Sequence, residues 1–281
     1  VKVVVTGAGG QLGIDIVRLL TDRGIEVVGY GRSELDVTDL ASVREALTQS
    51  KPDVIIHAAA YTKVDQAESD EDQAYRVNAY GTRNVAIAAE EIGAKVCYIS
   101  TDYVFDGTSS KPYQEYDRTN PLGVYGHSKL AGEELVKTLS SRYYIVRTAW
   151  VYGRNGQNFV KTMLRLAEER DEVNVVTDQV GSPTYTEDLA AFLIDLVQTD
   201  YYGIYHATNS GSCSWYEFAK AIFEESGVDV RVNPITSLEF PRPAPRPSYS
   251  VLDHMSIRAN GFQDLRHWRE GLKQYIQDSR E

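Results

Sequence analysis

Val1-Lys2-Val3-Val4-Val5-Thr6-Gly7-Ala8-Gly9-Gly10-Gln11-Leu12-Gly13 is the segment from which the rest of this 281-residue chain can be placed. Its first six residues are a β-branched run ending at glycine, as expected of a strand buried in a parallel sheet. Ile14, Ile16, Val17, Leu19 and Leu20 follow at roughly helical spacing. The glycines at 7, 10 and 13 therefore occupy a strand-to-helix turn. Gly7 permits the tight turn, Gly10 lets backbone approach a pyrophosphate, and Gly13 lets the helix pack close to the sheet. The helix N-terminus then faces the phosphates. A glycine-rich loop alone is a weak signal. Set between a strand and a helix, it reads as a dinucleotide site.

Beyond this turn, apolar runs alternate with helical patterns. Strands are predicted at 25–30, 52–57, 95–100 and 143–147, with helices at 41–50 and 125–139. A long helix is predicted to open in 61–72 and run on through Asn78 and Gly81. This rhythm predicts an α/β chain with a Rossmann-type doubly wound parallel sheet. In such a fold the residues after the second strand read the adenosine ribose. An acid there favours NAD, and an arginine accommodates the 2′-phosphate of NADP. Arg32 stands at that place and points to NADPH, with NADH as the other donor and a solvated surface arginine as the plain alternative. Asp36 and Val37 follow, where an adenine would rest. Ala58, Ala59 and Ala60 end the third strand and are small enough for a cofactor to lie across them. His57 reads as a satisfied polar core residue.

From about 150 the rhythm loosens. Helices are predicted at 159–169, 186–197 (with Thr186 as N-cap), 214–226 and 265–278, and strands at 173–176 and 203–207. A polar turn spans 178–184, and a stiff proline-rich loop spans 241–247. The expected division is a dinucleotide-binding unit over 1–149 and a smaller mixed α/β substrate-binding lobe over 150–281, with segments near 186–207 returning to the first unit.

Composition narrows the function classes. The net charge of −11 opposes general binding to nucleic acid or an acidic membrane surface. No apolar run approaches the roughly 20 residues of a membrane span, and the chain opens on a strand rather than a leader. Cys97 and Cys213 form no metal or redox spacing, and Cys97 reads as core. That usage fits a reducing cytoplasm.

The chemistry gathers between Ser100 and Lys129. Open α/β sheets bind ligands outside the carboxyl ends of their strands, and Thr101 lies at the end of the fourth predicted strand. Tyr125 and Lys129, four apart, share a helical face. The expected constellation moves a proton to a carbonyl oxygen. Thr101 bonds that oxygen, Tyr125 is the acid, and the Lys129 ammonium lowers the phenol's pKa and reaches the nicotinamide ribose. A second Tyr-x-x-x-Lys, Tyr216 to Lys220, lies inside a later helix and reads as ordinary helix surface and core.

Together, Gly7, Gly10, Gly13, Thr101, Tyr125 and Lys129 resemble the extended short-chain dehydrogenase/reductase family. Longer words (78–85, 100–107, 121–129, 147–153, 179–184 and 246–253) resemble its dTDP-4-dehydrorhamnose reductase branch across nearly the whole chain. The resemblance implies reduction of the C4 ketone of a dTDP-4-dehydro-6-deoxy sugar by NADPH or NADH. It implies that Gly10, Gln11 and Leu12 meet the pyrophosphate and that Ala58 to Ala60 lie under the cofactor. It also implies that Asn78 positions the lysine through water. Substrate contacts are implied for Thr101, Asp102 and Tyr103, with Trp150 walling the pocket, and for Gln179 and Arg246 at the nucleotide-sugar site. An arginine matched to a diphosphate is a charge-assisted pair. Some family members place magnesium at a dimer contact. Asp15 and Glu187 match that region without completing a ligand set, so metal, monomer and homodimer all stay open.

Three rivals share the scaffold. A dehydratase needs an Asp-Glu pair after the threonine, and here the pair is Asp102-Tyr103. An epimerase recycles its cofactor, which Arg32 and the reductase words oppose. A non-catalytic regulatory subunit would not need the intact Thr101, Tyr125 and Lys129.

Overall fold

The computed structural model describes residues 1–280. The chain begins with β1 (Lys2–Thr6), α1 (Gln11–Asp22), β2 (Glu26–Tyr30), α2 (Leu40–Ser50) and β3 (Val54–His57). Asp39 caps α2 by accepting from the Ala41 N–H at 3.0 Å. The segment read as one long helix is broken. It forms α3 (Val64–Ala67), α4 (Glu71–Tyr75), a π-helical turn (Arg76–Gly81) and α5 (Thr82–Ile92). Then come β4 (Lys95–Thr101), α6 (Val124–Leu139) and β5 (Tyr143–Thr148).

The second half holds β6 (Val151–Tyr152), α7 (Phe159–Glu169), β7 (Glu172–Val176), β8 (Val180–Gly181), β9 (Thr184–Tyr185), α8 (Thr186–Val197), β10 (Gly203–His206) and β11 (Cys213–Ser214). It ends with α9 (Trp215–Ser226), β12 (Arg231–Ile235), α10 (Met255–Ala259) and α11 (Trp268–Asp278). A reciprocal capping box between Ser214 and Glu217 starts α9. The expected cap at Thr186 is absent. Thr186 is the first residue of α8, and its hydroxyl donates to the Asp15 carboxylate at 2.5 Å.

Six strands form one parallel sheet in the order β10-β5-β4-β3-β1-β2. The chain leaves β1 to one side for β2 and returns to the other side for β3. That reversal opens a crevice above the carboxyl ends of β1 and β3. β10 comes from the second half and extends the sheet beside β5. Apolar side chains cover both faces. Ile16, Leu20, Leu189 and Leu193 from α1 and α8 bury one face, and Val43, Leu47, Val85 and Ala88 from α2 and α5 bury the other. A separate apolar cluster built on Val160, Met163, Val173, Phe218, Trp268 and Leu272 holds the second half together. There β7 pairs with β12, a strand the sequence pattern did not disclose.

Candidate active site

The glycine turn closes tightly on the next strand but one. Gly7 sits at φ +71°, and a Cβ there would lie 2.6 Å from the Ala59 nitrogen. A Cβ on Gly13 would lie 2.2 Å from the Gly7 carbonyl oxygen. The turn and the Ala58 to Ala60 segment therefore touch through bare backbone. The first turn of α1 carries no acidic side chain, and no side chain caps it, which suits an anion. Gln11 ties the turn to the second half: its amide donates to Val151 O at 3.2 Å and accepts from Asn158 at 2.9 Å. Leu12 packs against the core beneath.

A cavity of about 900 Å³ opens beside this turn, lined by Ala8, Gly9, Gly31, Arg32, Ser33 and Glu34. Arg32 thus lines the cavity beside the glycine turn. Asp36 is occupied with its own turn, accepting from the Thr38 N–H at 2.9 Å. Val37 is buried, and its carbonyl holds Asn84 at 3.0 Å. The bare glycine turn, the uncapped helix start and the arginine-lined cavity fit an NADP-type dinucleotide.

Two places from β1 in the sheet, β4 delivers Thr101 in register with Thr148 of β5. The Thr101 hydroxyl donates to Asp102 Oδ1 at 3.1 Å and accepts from the Tyr103 N–H at 3.2 Å. Asp102 Oδ2 is buried without a partner. Burial pushes the Asp102 carboxyl up to about 6, against hydrogen bonds from Ser250 and Thr101 that pull it down. Tyr103 packs edge-on against Tyr125, ring centres 5.5 Å apart.

The sequence reading of the tyrosine–lysine pair needs correction. Burial pushes the Tyr125 phenol up to about 12, and the neighbouring Thr101 hydroxyl pulls it only partly back. Burial also pushes Lys129 down, to about 7, opposed by the Glu133 charge. Lys129 is 2% exposed. Its ammonium donates to Ile99 O at 2.6 Å and lies 4.2 Å over the Tyr98 ring. Burial outweighs any help the ammonium gives the phenolate, and the phenol stays raised. His57 is satisfied, held between the Thr6 and Thr82 hydroxyls at 2.6 and 3.1 Å. Burial and the Lys129 charge hold its pKa near about 3.

Asn78 lies in the π-helical turn, and its amide accepts from Tyr61 N at 2.8 Å and donates to Tyr61 O and the Ser128 hydroxyl, each at 3.0 Å. Its side chain pins the segment after Ala60 to α6.

Trp150 has φ +48°, unusual for a bulky residue. Its ring stacks on Trp215 with ring centres 3.5 Å apart, and Trp215 also packs against the second-half apolar cluster. Gln179 donates to Ser237 at 2.9 Å. Arg246 donates to Asp65 at 2.5 Å and to Ala244 O at 2.7 Å. Arg242 pairs with the same carboxylate, and together the arginines hold Asp65 far below the ordinary carboxylate range. Nothing in the motifs singles out Asp65 as the partner of arginines some 180 positions later. Trp215 could have been found as the residue after a capping serine.

Asp15 and Glu187 do not fit a magnesium ion. Asp15 is buried with Arg18 at 3.8 Å, and Glu187 pairs with Arg18 at 2.6 Å and Arg154 at 3.7 Å. Guanidinium groups already supply the positive charge. Among the described residues no three metal-ligating side chains cluster, and no helix is long and apolar enough to cross a membrane.

The family described as RmlD substrate binding domain matches residues 1–281. The spore coat polysaccharide biosynthesis protein SpsK of Bacillus subtilis (strain 168) is 48% identical over 277 residues, 99% of this chain and 97% of that protein. A dTDP-4-dehydrorhamnose reductase of Streptomyces griseus is 48% identical over 96% of this chain and 91% of its own length. The crystal structure of a dTDP-4-dehydrorhamnose reductase from Bacillus anthracis in complex with NADP superposes with a TM-score of 0.97, at 47% identity and 99% coverage of both chains. Sequence, fold and the geometry of the cleft agree, and the chain belongs to the RmlD substrate-binding-domain family, whose relatives include dTDP-4-dehydrorhamnose reductases.

Proposed function

We propose that this chain reduces the C4 ketone of dTDP-4-dehydro-6-deoxy-L-mannose (dTDP-6-deoxy-L-lyxo-4-hexulose) to give dTDP-L-rhamnose, with NADPH as the preferred donor and NADH as a second one. The observation that carries the reading is the convergence of Thr101, Tyr125 and Lys129 at the carboxyl end of β4, on the sheet whose β1 ends in the glycine turn. The NADP-bound relative supports the choice of donor.

When bound, the reduced nicotinamide supplies the hydride. The chain does the rest. Thr101 donates to the ketone oxygen and orients it. Tyr125 gives that oxygen its proton as negative charge develops there. Lys129, charged, stabilises the phenolate left behind and holds the ribose of the donor. Asp102, with an acidity near the working pH and a free oxygen, bonds a sugar hydroxyl. Trp150 walls the sugar, and Tyr103 fills the place where a dehydratase carries its second acid. Arg246 exchanges Asp65 for the substrate diphosphate. Residues 1–149 hold the dinucleotide, and 150–281 mainly hold the nucleotide sugar.

The test is oxidation of NADPH and NADH with the dTDP-4-keto sugar, with the product's C4 configuration read by NMR. Tyr125→Phe should lower turnover by about 10²-fold or more while dinucleotide affinity stays within about twofold of wild type. Retained turnover would remove Tyr125 as the acid.

A further inference from the structure

We infer that Glu133 is a positioning residue: it keeps the Lys129 ammonium charged and pins α6 in register on β4. This rests on the role given to Lys129 above. Tyr125, Lys129 and Glu133 are spaced by four along one helical face. Three consecutive residues of β4 meet them. Thr101 lies beside Tyr125, Ile99 O takes the Lys129 ammonium at 2.6 Å, and the Ser100 hydroxyl donates to Glu133 Oε1 at 2.5 Å. Helix and strand are thus stitched by two rungs, and Glu133 makes one of them.

Arg147 on β5 locks that rung from the next strand. Its Nε donates to Glu133 Oε1 at 2.9 Å, and its Nη2 donates to Oε2 at 2.7 Å. Neither side chain of this pair is more than 3% exposed. A buried pair is weak evidence of stabilisation, since well-packed apolar side chains of similar volume often do as well. What apolar residues could not supply is negative charge one helical turn from Lys129.

The groups around the ammonium leave Glu133 as its anion. Tyr125 shares its helix, and burial keeps that phenol protonated near neutrality. Tyr98 from β4 presents its ring and is likewise held protonated. His57 from β3 is kept neutral by burial. Arg147 from β5 is a cation that tempers the Glu133 charge, and behind it His206 from β10 is held neutral by burial. Glu133 is the one charge that supports the ammonium against its burial.

The experiment is Glu133→Gln, which keeps the shape and an oxygen for Ser100 and Arg147. The readouts are the pH profile of kcat and the ¹⁵N titration of the Lys129 side chain, assigned with Lys129→Met. Removing the anion disfavours the charged lysine, so the alkaline limb and the ¹⁵N midpoint should both fall by about one pH unit or more. Glu133→Asp should recover part of the shift. If Glu133→Gln does not fold, the double variant Glu133→Gln/Arg147→Met removes both buried charges, and because the lost cation offsets part of the lost anion a downward shift of the same sign but smaller size is expected of it. Lower activity or a lower Tm with an unmoved pH profile and an unmoved Lys129 titration would overturn the inference. A moved Lys129 titration in a protein whose wild type does not reduce the keto sugar would sink the proposed reaction and leave the positioning role standing.

Discussion

Lys129→Met should abolish turnover and, at the same time, change how stability depends on pH. The wild-type ammonium is buried with one carbonyl bond and an aromatic face for company, and its folded-state acidity lies near about 7 against an ordinary 10.5. Between those values the unfolded chain holds more protons than the folded one, so wild-type stability rises with pH. At low pH both states are protonated and the folded state bears the whole cost of burying the charge. The shift of about 3.5 units corresponds to a ceiling of about 5 kcal/mol. About 3 kcal/mol of that is recovered between about pH 6.5 and pH 9.5. Methionine carries no such proton, so the variant's curve lacks this slope. Titrations not coupled to Lys129 are shared and cancel in the difference, and His57, which the Lys129 charge holds down, titrates below this range. The assay is urea unfolding of both proteins, without added nucleotide, followed by tryptophan fluorescence across that range. The wild type should gain about 3 kcal/mol on the variant as pH rises. Parallel curves would refute the argument that a buried, depressed lysine sits beside β4.

Other residues make independent predictions. Asp65→Asn frees Arg246 and Arg242 from their shared carboxylate and should tighten dTDP binding about three- to tenfold by calorimetry; weaker binding would mean that Asp65 orients the arginines instead of competing for them. Arg147→Met leaves Glu133 buried without its counter-charge and should cost about 3–5 kcal/mol, a Tm lower by about 5–8 °C in calorimetry. Trp215→Ala removes the ring that stacks on Trp150 and should raise KM for the nucleotide sugar about tenfold with NADPH affinity unchanged, whereas Trp215→Phe should keep most of the wild-type value. An unchanged KM would free Trp150 from any dependence on that stack.

The parallel sheet was legible because each strand is an apolar run bounded by polar or glycine residues. Even the return of 203–206 to the sheet shows as such a run. The β12 strand did not, since Arg231-Val232-Asn233-Pro234-Ile235 carries a proline and too few apolar residues to stand out. It exists because β7 lies beside it. The break between 64 and 92 was hidden for a different reason. Helical periodicity continues through the π turn. The extra residue is accommodated by tertiary partners: the Asn78 carbonyl takes the Thr82 hydroxyl at 2.7 Å, and the Asn78 amide takes Tyr61 and Ser128.

At the site, sequence spacing showed which residues share a face and said nothing about depth. Two groups four apart on a helix read the same whether water surrounds them or not. On a surface, Lys129 would stay charged and draw the phenol's pKa down. Here burial governs both groups, and the lysine, as the deeper of the two, bonds to the strand. A reductase that protonates its substrate gains from this arrangement. A phenol held near 12 stays fully protonated at neutral pH, so the acid is always loaded, and the driving force for its transfer comes only once oxyanion charge appears beside it. The lysine then matters most at that moment, when the phenolate it neutralises first exists. Its own charge must survive burial until then, which is why a carboxylate one turn along the helix is worth its desolvation.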